Sequence, residues 1–300
     1  MSIMNKIIAS SLPILPKWFA KPFATPYVAG ETFEEAKPHI RALNEKGFKT
    51  TVDILGEHVK NKEMARTITQ HYCNLFYAIK EEQLDCNVSV KPTHIGLDIS
   101  LAETMANVHR IIQSAKDTDN FLRLDMENSS FTDATLELYN HCINIHPKSG
   151  VVFQAYLYRS YNDVMDHTSP QFNARICKGI YKESENIAYQ KDSDIVDNFI
   201  RIVHKILNDS GYCAIATHDL GLIDKLESWI EENNIQKHHF EFQVLYGVPM
   251  SGKLEELLSK GYTVRVYVPF GYAWFDYSIR RLKENPSIIG YVIKNLFKQK

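Results

Sequence analysis

Cysteine is sparse and carries no pairing pattern. Five residues (Cys73, Cys86, Cys142, Cys177 and Cys213) are scattered through 300 positions with no Cys-x-x-Cys spacing. Such an odd, dispersed set suits buried thiols in a reducing compartment better than a disulfide framework, and it offers no tetrahedral zinc site. An excess of one charge sign is also lacking. The formal net charge is -2, so nothing resembles the basic stripe of a nucleic-acid binder, and no nucleic-acid partner is expected. No apolar run approaches the roughly 18 to 20 residues that span a bilayer. No Gly-x-Gly-x-x-Gly follows a strand-like run, which removes the Rossmann nucleotide cradle. His-Glu-x-x-His, Gly-x4-Gly-Lys-Ser/Thr and Gly-x-Ser-x-Gly are missing as well, so zincin, nucleotide-hydrolase and serine-hydrolase chemistry lack support. The twelve histidines, including adjacent His238-His239 and the pair His141 and His146, read as surface or core residues, and no metal is expected.

Linkers are absent too. With 44% hydrophobic residues and no Pro/Gly/Ser-rich stretch, the chain reads as a single domain over 1–300, an N-terminal arm over 1–44 preceding a body over 45–300. The first thirty residues carry Lys6, Lys17 and Lys21 but neither arginine nor acid. A signal peptide is one reading of the apolar stretch Ile7–Leu15. Pro13 and Pro16 interrupt it, which favours an arm or amphipathic helix that stays on the protein.

What is present is a repeated unit. Short β-branched runs recur at 49–55, 87–91, 121–126, 151–156, 174–178, 213–217, 240–245 and 263–268, separated by helix-like stretches. The clearest helices are 101–115, 132–145, 195–208, 220–232 and 253–259. Gly211 and Gly261 stand where helix stop signals belong. Eight strands alternating with helices imply parallel pairing through crossovers, and the span fits the roughly 250 residues of a (β/α)8 barrel. The fold class expected is therefore α/β, a TIM-type barrel with an N-terminal helical arm. An open doubly wound sheet is the alternative, since a strand count does not show closure.

In a parallel barrel the site lies at the C-terminal ends of the strands. Those ends carry Asp53 and Glu57, Lys91, Asp125 with Glu127, Gln154, Arg175 with Lys178, Thr217-His218, Gln243 and Tyr267. One polar strand end is an ordinary rim residue, but a ring of them is a site. Arg280 and Arg281 follow the last strand, with Tyr277 one turn earlier. An arginine pair can be a plain basic helix surface. Beside a ring of polar strand ends it suits a carboxylate, whose two oxygens match the guanidinium fork.

These segments resemble a known family. Arg175-Ile-Cys-Lys-Gly-Ile-Tyr181 is similar to the R-L-V-K-G-A-Y segment of proline dehydrogenases. Ala216-Thr-His-Asp219 resembles their A-T-H-[ND], and Phe240-Glu-Phe-Gln-Val-Leu-Tyr-Gly247 their F-E-F-Q-x-L-Y-G. Val264–Gly271 and Tyr277–Asn285 resemble the closing strand and helix, Val28-Ala-Gly-Glu-Thr and Asp53–Glu57 the N-terminal part. The resemblance runs in order from about Val28 to Asn285, at the length of the small one-enzyme bacterial branch. Cys177 stands where the family has valine and Ile180 where it has alanine.

The resemblance implies FAD, held without a covalent bond at the barrel mouth, and oxidation of L-proline to Δ1-pyrroline-5-carboxylate by hydride transfer to flavin N5. It implies FAD contacts from Met126, Gln154, Arg175, Lys178, Gly179, Ile180, Thr217, His218 and Gln243. Lys91, Arg280 and Arg281 would hold the proline carboxylate, and Tyr181, Tyr267 and Tyr277 would wall the ring. Asp125 and Arg175 would be the catalytic pair, with Asp125 and Glu57 balancing the cations and Glu57 gating the site through Arg280. Electrons would pass to a quinone, implying a cytoplasmic protein with peripheral contact on the inner face of the membrane. The segment 288–300 mixes apolar and basic residues as an interfacial helix does, or as a terminal helix packed on the barrel does. Two rivals remain at this stage: a relative acting on hydroxyproline, and a binding barrel without catalysis. Lys91 as a Schiff-base lysine would need an apolar pocket and a lowered pKa.

Overall fold

The computed structural model describes residues 26–275 and 277–279. Its eight strands are β1 (Lys49–Ile54), β2 (Cys86–Val90), β3 (Leu122–Leu124) and β4 (Ser149–Gln154), then β5 (Asn173–Cys177), β6 (Tyr212–Ala216), β7 (Phe240–Leu245) and β8 (Val264–Phe270). They form one closed barrel in sequence order, with β1 paired in parallel to both β2 and β8. Closure excludes the open doubly wound alternative and confirms the TIM-type architecture.

Helices cover the outside: α1 (Phe33–Glu45), α2 (Lys62–Glu81), α3 (Leu101–Asp117) and α4 (Thr132–Ile145), then α5 (Ser160–His167), α6 (Asp192–Asn208), α7 (Leu220–Glu232) and α8 (Lys253–Ser259). Each helix has a readable cause. Asn61 opens α2 by accepting from the backbone N–H of Glu63 and Met64, and Asp219 opens α7 by accepting from Leu222. Thr69, Tyr72, Cys73, Phe76 and Ile79 recur at helical spacing along α2 and are buried against the barrel. Because strands of a closed parallel barrel are covered on both faces, β4 is buried along its whole length.

The described part of the arm belongs to this core. Tyr27, Val28 and Ala29 are buried, and Ala29 N–H donates to Pro269 O at 2.9 Å. The same segment explains Gly247: a Cβ there would lie 1.6 Å from Pro26 O, and its φ is +76°. Only glycine lets the chain cross so closely. Residues 1–25, Arg280 and Arg281, and the 288–300 segment lie outside the described residues.

Candidate active site

The period of two along each strand sends alternate residues to the barrel interior. Where the interior opens at the C-terminal ends, it forms a cavity of about 630 Å3. Its wall brings together Lys91, Asp125, Met126, Gln154, Arg175, Lys178, Gly179, Ile180, Tyr181, Thr217, His218, Gln243, Tyr267 and Tyr277, from strand ends far apart in sequence. Glu57 lies in the loop after β1, half-buried and apart from this lining. Its expected partner, Arg280, and Arg281 lie outside the described residues.

Asp125 is the hub of one wall. Its Oδ1 accepts from Ser89 Oγ at 2.6 Å and from Arg175 Nη1 at 2.8 Å. Its Oδ2 accepts from the Tyr267 hydroxyl at 2.9 Å and lies 3.9 Å from Lys91 Nζ. Lys91 pairs more closely with Asp53, which also accepts from the Tyr72 hydroxyl at 3.2 Å. Burial alone would push the Lys91 ammonium down, but the charges of Asp53 and then Asp125 outweigh it and hold the group above the usual lysine range. That is the opposite of what a Schiff-base lysine needs. Burial, with the charges of Asp125 and Asp53, keeps the Tyr267 phenol well above its ordinary value, so its hydroxyl stays a donor. The anion matched to Lys91 is thus Asp53, and Asp125 adds to it.

Arg175 is fixed from two sides. Besides its bond to Asp125, its Nε donates to Gln243 Oε1 at 2.6 Å, and its guanidinium carbon sits 5.2 Å from the Tyr267 ring centroid. Gln243 Nε2 in turn donates to Glu241, whose Oε1 accepts from Arg265 Nε at 2.8 Å.

The facing wall is less charged. Gln154 Nε2 donates to Glu127 O at 2.7 Å, while its Oε1 is buried with no partner. Gly179 has φ +113°, and a Cβ there would meet Tyr156 Cδ1 at 2.2 Å, so the chain crosses the Tyr156 ring where no side chain fits. Lys178 Nζ lies 2.8 Å from Asp192 and 2.9 Å from Asp219. Burial opposes its charge, but those two carboxylates more than compensate and raise its pKa. His218 Nε2 accepts from the Leu245 N–H at 2.9 Å, which assigns the ring proton to Nδ1. Ile180 stands exposed on the rim and Cys177 lines the floor, where burial pushes its thiol up to about 12. Met126, Val152 and Val244 add apolar surface to the same cavity lining.

Sequence reasoning gave no role to Ser89, Glu241 or Arg265. Each stands two residues before a site residue, Lys91, Gln243 and Tyr267 respectively, so the strand period is the signal that would have found them. Among the described residues no group of three or more His, Cys, Asp and Glu is placed to hold a metal. His141 contacts His109 at 3.2 Å rather than His146. No helix among them is long and apolar enough to cross a membrane.

Comparison with known proteins adds a family. The model described as "Proline dehydrogenase" matches residues 36–292. Proline dehydrogenase 2 of Bacillus subtilis (strain 168) is 36% identical over 282 residues, covering 94% of this chain and 93% of that protein. Proline dehydrogenase of Deinococcus radiodurans is 32% identical, covering 91% of this chain and 89% of that one. Among solved structures, proline utilization A from Bdellovibrio bacteriovorus, inactivated by N-propargylglycine, superposes with a TM-score of 0.84 at 24% identity. It covers 99% of this chain, which spans only 38% of that longer protein. At that identity the likeness speaks for the fold.

Proposed function

This chain belongs to the proline dehydrogenase family, and from that premise we propose that it oxidises L-proline to Δ1-pyrroline-5-carboxylate with FAD as the bound oxidant. One observation carries the reading: Asp125 gathers Arg175, Tyr267 and Lys91 at the cavity that the barrel opens at its C-terminal end. When bound, FAD would supply the two-electron acceptor, its N5 the destination of a hydride from the proline carbon beside the nitrogen, on the side away from the carboxylate. Met126, Gln154, Lys178, Gly179, Ile180, Thr217, His218 and Gln243 would hold it. They line one cavity, and Gln154 Oε1 has no hydrogen-bond partner among the protein's own groups, which supports that assignment. Arg175, whose guanidinium lines the cavity, would offer positive charge to a reduced flavin held there.

Lys91, Arg280 and Arg281 bind the proline carboxylate, and Tyr181, Tyr267 and Tyr277 enclose the ring and its methylenes. Tyr267 restricts substituents, which favours unmodified proline. Glu57 closes over the site by pairing with Arg280, excluding water. Asp125 holds Arg175, Tyr267 and Lys91 in register, the positional precision on which the rate depends. The amine of proline must be neutral for its lone pair to assist hydride departure, so the rate rises with pH. Electrons then leave to a quinone, from a cytoplasmic enzyme in peripheral contact with the membrane. All of this belongs to one catalytic domain over 1–300, the first 44 residues forming its arm.

The test is turnover with L-proline and a soluble quinone analogue. The expected product is lighter than proline by two hydrogens, with one quinone reduced for each proline consumed. Turnover of hydroxyproline in preference to proline would move the substrate to the hydroxylated relative.

A further inference from the structure

Glu241 and Arg265 lie beneath the cavity floor, buried and outside its lining. An apolar pair of similar volume would ordinarily fill such a place at equal or lower cost, and Glu241 Oε2 even lacks a hydrogen-bond partner. Their bonds run in one direction. Arg265 Nε donates to Glu241 Oε1 at 2.8 Å, and Arg265 Nη1 is tied to Thr50 O at 2.8 Å. Gln243 Nε2 donates to the same Glu241 oxygen, leaving Gln243 Oε1 to accept from Arg175 Nε at 2.6 Å. Arg175 Nη1 then donates to Asp125 at 2.8 Å.

A glutamine amide has two ends of nearly equal shape and opposite hydrogen-bonding character. Turned over, Gln243 would set an NH2 against the Nε–H of Arg175, donor against donor. An ionised carboxylate only accepts, so Glu241 takes the NH2 end and commits the carbonyl end to Arg175. Arg265 outweighs the effect of burial and holds the Glu241 carboxyl below its usual range, which preserves that acceptor-only character.

We infer that Glu241, held by Arg265, is a positioning residue for the reaction: it fixes the orientation of the Gln243 amide and through it the guanidinium of Arg175. The inference rests on the proline dehydrogenase reading for its catalytic consequence, but the linkage itself does not. Neither residue touches substrate, so the effect belongs to kcat and not to substrate affinity.

The test begins with the Arg175 Nε–H signal in nitrogen-15 NMR of the full-length holoenzyme, identified by its loss in Arg175→Lys. In the parent chain this proton exchanges slowly with water. Glu241→Gln releases the amide and speeds its exchange by about tenfold, the factor matching one lost hydrogen bond. Glu241→Leu combined with Arg265→Met, which leaves no unpaired buried charge, does the same in a chain that keeps its stability. In a Gln243→Ala background, Glu241→Gln adds nothing further, because the route through Gln243 is already cut. Per bound flavin, kcat for L-proline falls by about tenfold in Glu241→Gln, while KM stays within about twofold. Unchanged exchange in both Glu241 variants overturns the inference, as does an equal further effect in the Gln243→Ala background. Failure of the parent enzyme to be reduced by L-proline would retire the proline reading instead, while the exchange measurement still decides the linkage.

Discussion

The barrel interior holds two ionic layers of similar composition and different exposure. The upper one, Lys91, Asp53, Asp125 and Arg175, meets the cavity; the lower one, Glu241 and Arg265, is closed off beneath it. Both pair their charges at ion-pair distance and both are largely buried. What separates them is a neighbour: the upper layer has an open cavity above it, and the lower layer is joined upward by hydrogen bonds through Gln243. Buried charge by itself therefore does not mark an active site. Chemistry can be assigned only where the charges also face a space that admits a ligand.

That contrast predicts different losses in the two layers. Asp125→Ala should have the largest effect, removing the common acceptor of Ser89, Arg175 and Tyr267. A loss of about 10² to 10³ in kcat/KM is expected, the scale of two or three interactions made in the transition state. A loss below tenfold would erase the distinction between the layers. Arg265→Ala should act first on stability, since it leaves the Glu241 carboxylate buried without its cation. A decrease of about 3 to 5 kcal/mol in urea unfolding is expected, and an unchanged midpoint would mean that the lower layer does not hold the barrel.

Arg281→Lys should sharpen the comparison at the proposed carboxylate clamp. It keeps the charge and loses the fork, so KM for L-proline should rise by about tenfold with kcat little changed. An unchanged KM would remove Arg281 from carboxylate binding. The smallest expected effect concerns pH. The Lys91 ammonium is raised, so its pairing is fully present below the ordinary lysine value of 10.5 and is lost only as pH climbs through the higher folded value. The Tyr267 phenol is raised as well and stays protonated over the same range. Between roughly pH 6 and 9 neither group titrates, so a rising limb in kcat/KM belongs to the amine of proline. Tyr267→Phe should leave that limb in place and cost about 1 kcal/mol, one hydrogen bond to Asp125. Displacement of the limb by about one unit would assign it to the protein instead.

Most of this organisation was legible in the sequence. All eight strands stand where the β-branched runs place them, and most of the polar strand ends line the cavity, whereas Asp53, Glu57 and Glu127 do not. The differences have local causes. The third strand is only Leu122–Leu124, and at its start the Phe121 N–H is taken by the Asn120 side chain. Helix α2, the longest described, was not singled out because its apolar stripe is diluted by polar residues such as Lys62, Glu63, Arg66 and Gln70.

Partners were harder to read than positions. Asp53 was visible as a strand end, yet its pairing with Lys91 depends on which face of β1 turns inward, and strands buried on both faces do not announce it. Glu241 and Arg265 carried the same ambiguity. The arginine pair was read from the segment after β8 and its gate, Glu57, from the loop after β1, and Arg280 and Arg281 lie outside the described residues.

The most direct test of the central claim is the visible spectrum of the purified protein before and after anaerobic addition of L-proline. A flavin spectrum with bands near roughly 380 and 450 nm that bleaches on addition is the predicted result. A protein that takes up no FAD, or whose flavin stays oxidised in excess L-proline, would contradict the account and leave a barrel whose cavity binds without oxidising.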